Sequence, residues 1–240
     1  GDKIVGYYTT ARKGIDVIRT MIIAVCAVFL PRLSYYYSNR EYTSFKNLMD
    51  RGIKILMYVT IPATIGVILT AQFFVPLMFG ETFSDAIVTT EILSISIITV
   101  AFSNFFGYQV LVTIGKEKEM LVSTIIGAIV NIALNFALIF AFKHNGVAIA
   151  SAITELCVTL YQTKAVKKEI CIKTDKKFIL SVLIGTFLMT LFVIICQVMF
   201  EGNFVCLSLS VIVGILIYGM VTLGLKNEIS VWIWKKIRRV

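Results

Sequence analysis

Residues 5–33 read VGYYTTARKGIDVIRTMIIAVCAVFLPRL, and the rest of the chain is understood through this stretch. It is long and apolar enough to cross a bilayer core, which takes ~20 apolar residues. Its first half nevertheless carries Arg12, Lys13, Asp16 and Arg19. On a helix of about 3.6 residues per turn, Arg12, Asp16 and Arg19 fall at i, i+4 and i+7, on one face, with Tyr8, Thr9 and Thr20 near it. A cation at the centre of a membrane helix costs ~2.5–3.5 kcal/mol on insertion scales, so these charges cannot point at lipid tails together. Helix-neighbour spacing allows a structural ion-pair cluster. One aspartate does not neutralise three cations, however, and that surplus favours the cationic wall of a cavity.

The composition agrees with a membrane setting. Of 240 residues 58% are hydrophobic and 15% charged, with mean hydropathy +0.88, whereas a soluble domain is about 25% charged. The chain is therefore expected to be an all-α integral membrane protein. Its net charge of +9 would suit nucleic acid, but the basic residues lie between apolar runs, so no nucleic-acid partner is expected. Cys26, Cys157, Cys171, Cys196 and Cys206 form no CxxC pair and accompany no histidine cluster, which indicates no disulfide framework, metal or cofactor. The chain starts at Gly1, directly ahead of a span and without a visible signal peptide, so further sequence upstream is expected.

Seven spans are predicted, at residues 5–33, 53–78, 86–114, 120–142, 147–165, 178–199 and 204–225. In the longest connection, Ser38-Asn-Arg-Glu41 reads as a capping box, followed by Tyr42, Phe45, Leu48 and Met49 on one face, the pattern of a short surface helix. Pro62 is expected to kink the second span. Arg32, Arg40, Lys46, Arg51, Lys54, Lys116, Lys118, the lysines from 164 to 177 and the basic tail after 225 collect on one side. The other side has Lys3 and Lys143 beside Asp2, Glu81, Asp85 and Glu201. This bias places Gly1 outside and the C-terminus in the cytoplasm. In the tail, Ile229, Trp232, Ile233 and Ile237 oppose Lys235, Arg238 and Arg239, as in a helix lying on an anionic leaflet.

Several other spans carry polar stripes. Ser96, Thr99, Ser103 and Gly107 share a face, with Asn104 and Gln109 close by and Glu91 near the outer end. Gly127, Asn131 and Asn135 are spaced i, i+4, i+8, and Ser151, Glu155, Thr159 and Gln162 form a third stripe. Hydrogen bonds between helices, worth ~0.6–2 kcal/mol each, account for many such residues. A mid-span carboxylate such as Glu155 asks for a cationic partner or a cavity. Gly146-Val-Ala-Ile-Ala-Ser-Ala152 has the small-residue spacing of close helix packing. The last two spans are almost free of polar residues and should be peripheral. His144 reads as a turn residue, and no phosphate loop, nucleophile elbow or metal-ligand cluster suggests an enzyme.

In order along the chain, several short stretches resemble one family. They are Val5-Gly-Tyr-Tyr-Thr-Thr-Ala-Arg-Lys13, Leu30-Pro-Arg-Leu33, Ile61-Pro62 with Gly66, Pro76-Leu-Met-Phe-Gly80, Phe106-Gly-Tyr-Gln109, Gly115-Lys-Glu117, Asn131 with Asn135, Gly146-Val-Ala-Ile-Ala150 and Glu155. Together they resemble the C-terminal half of polysaccharide biosynthesis proteins, the Wzx-type oligosaccharide flippases of the multidrug/oligosaccharidyl-lipid/polysaccharide exporter superfamily. The resemblance implies two six-helix lobes around a cavity. Residues 1–170 would supply five helices of the second lobe, lacking its first; 171–225 an additional helix pair; and 226–240 a cytoplasmic interfacial tail. The implied activity is flipping of an undecaprenyl-pyrophosphate-linked oligosaccharide across the bacterial inner membrane for O-antigen, capsule or exopolysaccharide export. The partners would be that glycan lipid, the bilayer and the N-terminal lobe.

On this reading Arg12, Lys13 and Arg19, aligned by Asp16, would hold the pyrophosphate. Asn104, Gln109, Asn131, Asn135 and Glu155 would line the cavity. Within the superfamily a lipid II flippase also calls for a cationic cavity, and a drug or cation antiporter for an acidic one. A membrane glycosyltransferase or polymerase should show a sizeable loop with carboxylate or Arg/His constellations. A receptor-like seven-helix protein would not explain the charged helix face.

Overall fold

A computed structural model of the chain describes residues 2–172, 175–199 and 204–238. Its elements are helical: α1 (Asp2–Ala27), α2 (Leu30–Ser38), α3 (Tyr42–Phe79), a 3-10 turn (Glu81–Phe83), α4 (Ala86–Ser94) and α5 (Ser96–Asn104). A π-helical stretch (Phe105–Leu111) follows, then α6 (Glu117–Glu169), α7 (Lys176–Met199), α8 (Phe204–Gly224) and α9 (Glu228–Ile237). Lys173, Glu201 and Arg239, used above for orientation, lie outside the described residues, as does the Asp2 side chain.

Among the described residues six segments are long and apolar enough to cross a membrane, with α1 and α2 forming one of them and α4, α5 and the π-helical stretch another. The seventh expected span lies inside α6, whose 53 residues hold the fourth and fifth apolar runs. At Lys143 the backbone leaves helical geometry (φ 50°, ψ −127°) and the chain folds back. The two limbs are then zipped antiparallel. Lys116 meets Glu169 at 2.8 Å, Tyr161 donates to Glu119 at 2.7 Å, Gln162 to Ser123 at 3.0 Å and Asn131 to Thr154 at 3.3 Å. Small residues let the limbs close, because a Cβ at Gly127 would run into Val158 and one at Gly146 into the Leu138 carbonyl. The hydrogen bond to Glu169 also raises the Lys116 ammonium above its ordinary range.

Two local expectations are overturned. Ser38 caps nothing: its hydroxyl donates to the Tyr35 carbonyl at 3.0 Å, closing α2. The amphipathic stretch after it is no separate surface helix but the first turns of α3, a single 38-residue helix. Phe45 and Met49 are 2% and 0% exposed, so packing on that face carries the helix onward while Tyr42 stays exposed. α3 continues through Pro62, since a membrane helix can tolerate the lost backbone bond. It stops where the Gly80 N–H reaches the Pro76 carbonyl at 2.8 Å, with Gly80 at φ 92°, a conformation that glycine adopts without penalty.

The chain forms two compact units, Gly1–Leu56 with Asp85–Lys173, and Met57–Ser84 with Thr174–Val240. In the second, α7 and α8 approach closely at Gly185, where a Cβ would press on Thr222 and Tyr218. Tyr58 and Thr222 share a hydroxyl–hydroxyl bond of 3.0 Å, and the Tyr218 hydroxyl donates to the Tyr58 carbonyl at 2.8 Å. Gln197, a rare polar group in this pair, donates to the Leu69 carbonyl at 2.8 Å. Leu180, Phe187, Ile215 and Leu216 are exposed, as lipid-facing side chains would be. α9 is capped by Asn227, whose side chain accepts the Ile229 N–H at 3.0 Å.

Candidate functional site

Within the first unit α1 buries a regular face of Ala11, Ile15, Ile22 and Cys26. Arg19 sits in that face and is itself only 6% exposed. It persists there because polar groups converge on it from three elements. Its Nη1 donates to Asp16 Oδ1 at 3.3 Å and its Nη2 to Ser96 Oγ at 2.5 Å. Ser96 is placed by the break between α4 and α5 at Ile95, and its hydroxyl donates in turn to the Leu93 carbonyl. Glu155, from the second limb of α6, interacts electrostatically with Arg19 and Arg12.

Arg12 lies one turn before Asp16 and donates through Nε to both of its carboxylate oxygens at 3.1 Å. Its Nη1 donates to the Tyr8 hydroxyl at 3.2 Å, which bonds Ser151 on α6 at 3.2 Å. The Arg12 and Asp16 side chains remain 42% and 46% exposed, so the cluster grades from an accessible end at Arg12 to a sealed one at Arg19. Arg19 Nε is buried without a hydrogen-bond partner among the described residues, leaving one guanidinium donor unused.

The structure regroups the residues singled out from sequence. Arg12, Asp16, Arg19 and Glu155 come together. Lys13 is exposed, ~100° round α1 from Arg12, and makes none of the cluster's bonds. Two arginines therefore share Asp16, with the Glu155 carboxyl within electrostatic reach, in place of three cations on one aspartate. Asn135 donates to the Asn131 carbonyl and side chain at 2.9 Å, and Asn131 donates to Thr154, so both asparagines bind within the α6 hairpin. Gln109 donates to Asn104 at 3.3 Å, and its side-chain Oε1 is buried with no hydrogen-bond partner among the described residues. The π-helical stretch carries Gln109 to a 4% exposed position beside Gly107, where a Cβ would press on Gln162. Tyr8, Ser96 and Ser151 were not among the site residues chosen from sequence. The signal that marked them was the shared helix face of Tyr8 and the polar stripes holding Ser96 and Ser151. Their pairing depends on which helices meet. The turn residue His144 stacks edge-on against Tyr7 at 5.4 Å and contacts the Asp85 carbonyl at 3.3 Å through Nε2.

A protein-family model described as "Lipid II flippase MurJ" matches residues 18–215. The "Probable low-salt glycan biosynthesis flippase Agl15" of Haloferax volcanii is 25% identical over 150 residues, covering 62% of this chain and 32% of that protein. The "Probable lipid II flippase MurJ" of Thermotoga maritima is 26% identical over 211 residues, covering 86% of this chain and 42% of that protein. Among solved structures, "Lipid II flippase MurJ, inward closed conformation" superposes with a TM-score of 0.79 at 17% identity, over 91% of this chain and 46% of that one. The chain thus spans less than half the length of each, and its fold is half of that flippase fold.

Proposed function

Because this chain belongs to the lipid II flippase MurJ family, a family of transporters and not of enzymes, we propose that it forms part of a flippase for a polyprenyl-pyrophosphate-linked saccharide. The observation that carries the reading is Arg19, 6% exposed on a membrane helix and held by Asp16 and Ser96 with Arg12 one contact away. A diphosphate carries charge that lipid does not solvate, and the guanidinium fork matches its oxygens. Asp16 and Glu155 hold the arginines in place and limit their mutual repulsion while no anion is bound. An entering pyrophosphate, with more acceptor oxygens than a carboxylate, takes over Arg12 at the accessible end first and then Arg19. Asn104, part-exposed and held by the buried Gln109, is the polar side chain that receives sugar hydroxyls. Lys13, Asn131 and Asn135 have more distant parts, Lys13 from an exposed face and the asparagines by holding the α6 hairpin.

The motif resemblance favours an undecaprenyl-pyrophosphate oligosaccharide destined for surface polysaccharide. The family match favours lipid II. Both present the same pyrophosphate to the arginines. We place the protein in the cell membrane with its C-terminus in the cytoplasm, residues 1–170 as transport helices, α7 and α8 as an accessory pair and 226–240 as an interfacial tail. The test is flipping by the reconstituted full-length protein, with fluorescent lipid II, an undecaprenyl-pyrophosphate oligosaccharide and an organic cation offered separately. Transport of either pyrophosphate lipid supports the proposal and names the glycan. Transport of the cation alone overturns it.

A further inference from the structure

The second unit contains a groove that the transport reading leaves unused. It is an open groove of about 290 Å³ between α8 and α9, and Tyr58, Leu223, Ile233, Trp234 and Ile237 are among its walls. That is the lower edge of the ~300–1,000 Å³ range of small-ligand sites, enough for one apolar chain and too little for a saccharide. Its α8 wall recurs from Ile215 to Leu223, a run of ~12 Å along the helix. Gly219 keeps the slot open, since nothing lies within 4 Å of where its Cβ would be.

The two hydroxyls in the walls are already engaged, Tyr58 with Thr222 and Ser230 with the Asn227 carbonyl. The interior therefore recognises hydrocarbon. The rim is different: the Arg238 guanidinium is held 5.2 Å from the centre of the Trp234 ring, which is itself a wall. Lys235 and Lys236 neighbour it on α9, with Lys236 stacked over Trp232 at 5.6 Å. An apolar slot closed by a fixed cation complements a molecule with a hydrocarbon chain beneath an anionic phosphate.

We propose that one anionic diacyl phospholipid binds here, an acyl chain in the α8–α9 groove and its phosphate at Arg238. The site is separate from the arginine cluster and does not depend on what that cluster transports. The test is native mass spectrometry of the full-length protein with equimolar dioleoyl phosphatidylglycerol, dioleoyl phosphatidylcholine and undecaprenyl phosphate. Phosphatidylglycerol is expected to be retained preferentially, by about fivefold for the one cation contact, and Arg238→Ala should remove that preference. Gly219→Phe, which fills the slot from an open position, should abolish retention of phosphatidylglycerol. Equal retention of phosphatidylcholine, displacement by undecaprenyl phosphate, or wild-type retention in Gly219→Phe would each overturn the proposal.

Discussion

Replacing Arg19 by alanine separates a binding role from a structural one. The residue gives up two bonds. The one to Asp16 joins a half-exposed carboxylate that keeps Arg12 at 3.1 Å, so it is worth about 0.5–1 kcal/mol. The bond to Ser96 is buried and charge-assisted, worth about 1.5–3 kcal/mol. Against this, the variant no longer buries the unpartnered Nε, a relief of about 1–3 kcal/mol. The net loss is then ~1 kcal/mol, to which the uncompensated charge of nearby Glu155 adds, a few degrees of melting temperature for a chain of this size. Losing a guanidinium that grips the moving phosphate should cost far more, about 100-fold in flipping rate if ~3 kcal/mol of charge-assisted contact goes with it. Arg19→Lys should recover flipping only in part, because a point charge does not reach Asp16 and Ser96 as a fork does. Asp16→Asn should be milder, since Glu155 still faces both arginines. The decisive variant is Arg19→Ala with Glu155→Gln, which also removes the nearby carboxylate that the guanidinium offset electrostatically and should recover part of the stability without restoring flipping. Proteoliposome flipping and thermal unfolding would be measured on the same preparations. Wild-type flipping in Arg19→Ala, or rescue of flipping along with stability in the double variant, would refute the binding role.

Three further outcomes test the fold around the site. Gly127→Leu should lower the melting temperature measurably, since even a Cβ there meets the stiff Val158 side chain and overpacking costs ~1–3 kcal/mol; an unchanged melt would mean the α6 limbs are not in close contact. Gly185→Val should loosen α7 from α8 through Thr222 and Tyr218, at a similar ~1–3 kcal/mol, detected as earlier unfolding with flipping per folded molecule unchanged if this pair is accessory. In a cysteine-free background, an impermeant maleimide applied to intact spheroplasts should label Lys143→Cys at the α6 turn and leave Lys235→Cys on α9 untouched; the reverse pattern would invert the topology.

What could be read from the residues alone is what depends on neighbours along the chain. The apolar runs marked the spans, and the i, i+4, i+7 spacing already set Arg12, Asp16 and Arg19 on one face, because helix geometry repeats every turn wherever the helix is packed. Close packing at Gly146 was legible too, as were the exposed apolar faces of α7 and α8. What the residues alone left open has a common cause. Glu155 was visible as a costly carboxylate, but its approach to within electrostatic reach of Arg19 and Arg12 needed α6 to fold back at Lys143 and lie against α1. The same fold turned Asn131 toward Thr154. Ser38 had the spacing of a cap, yet its hydroxyl went to Tyr35, and Phe45 and Met49 drew the next segment into α3. In a membrane, lipid tails and neighbouring helices accept the same apolar side chains, so composition does not mark which face packs against which partner. A polar group buried among such faces must find its partner across the bundle, and that choice is made only when the helices come together.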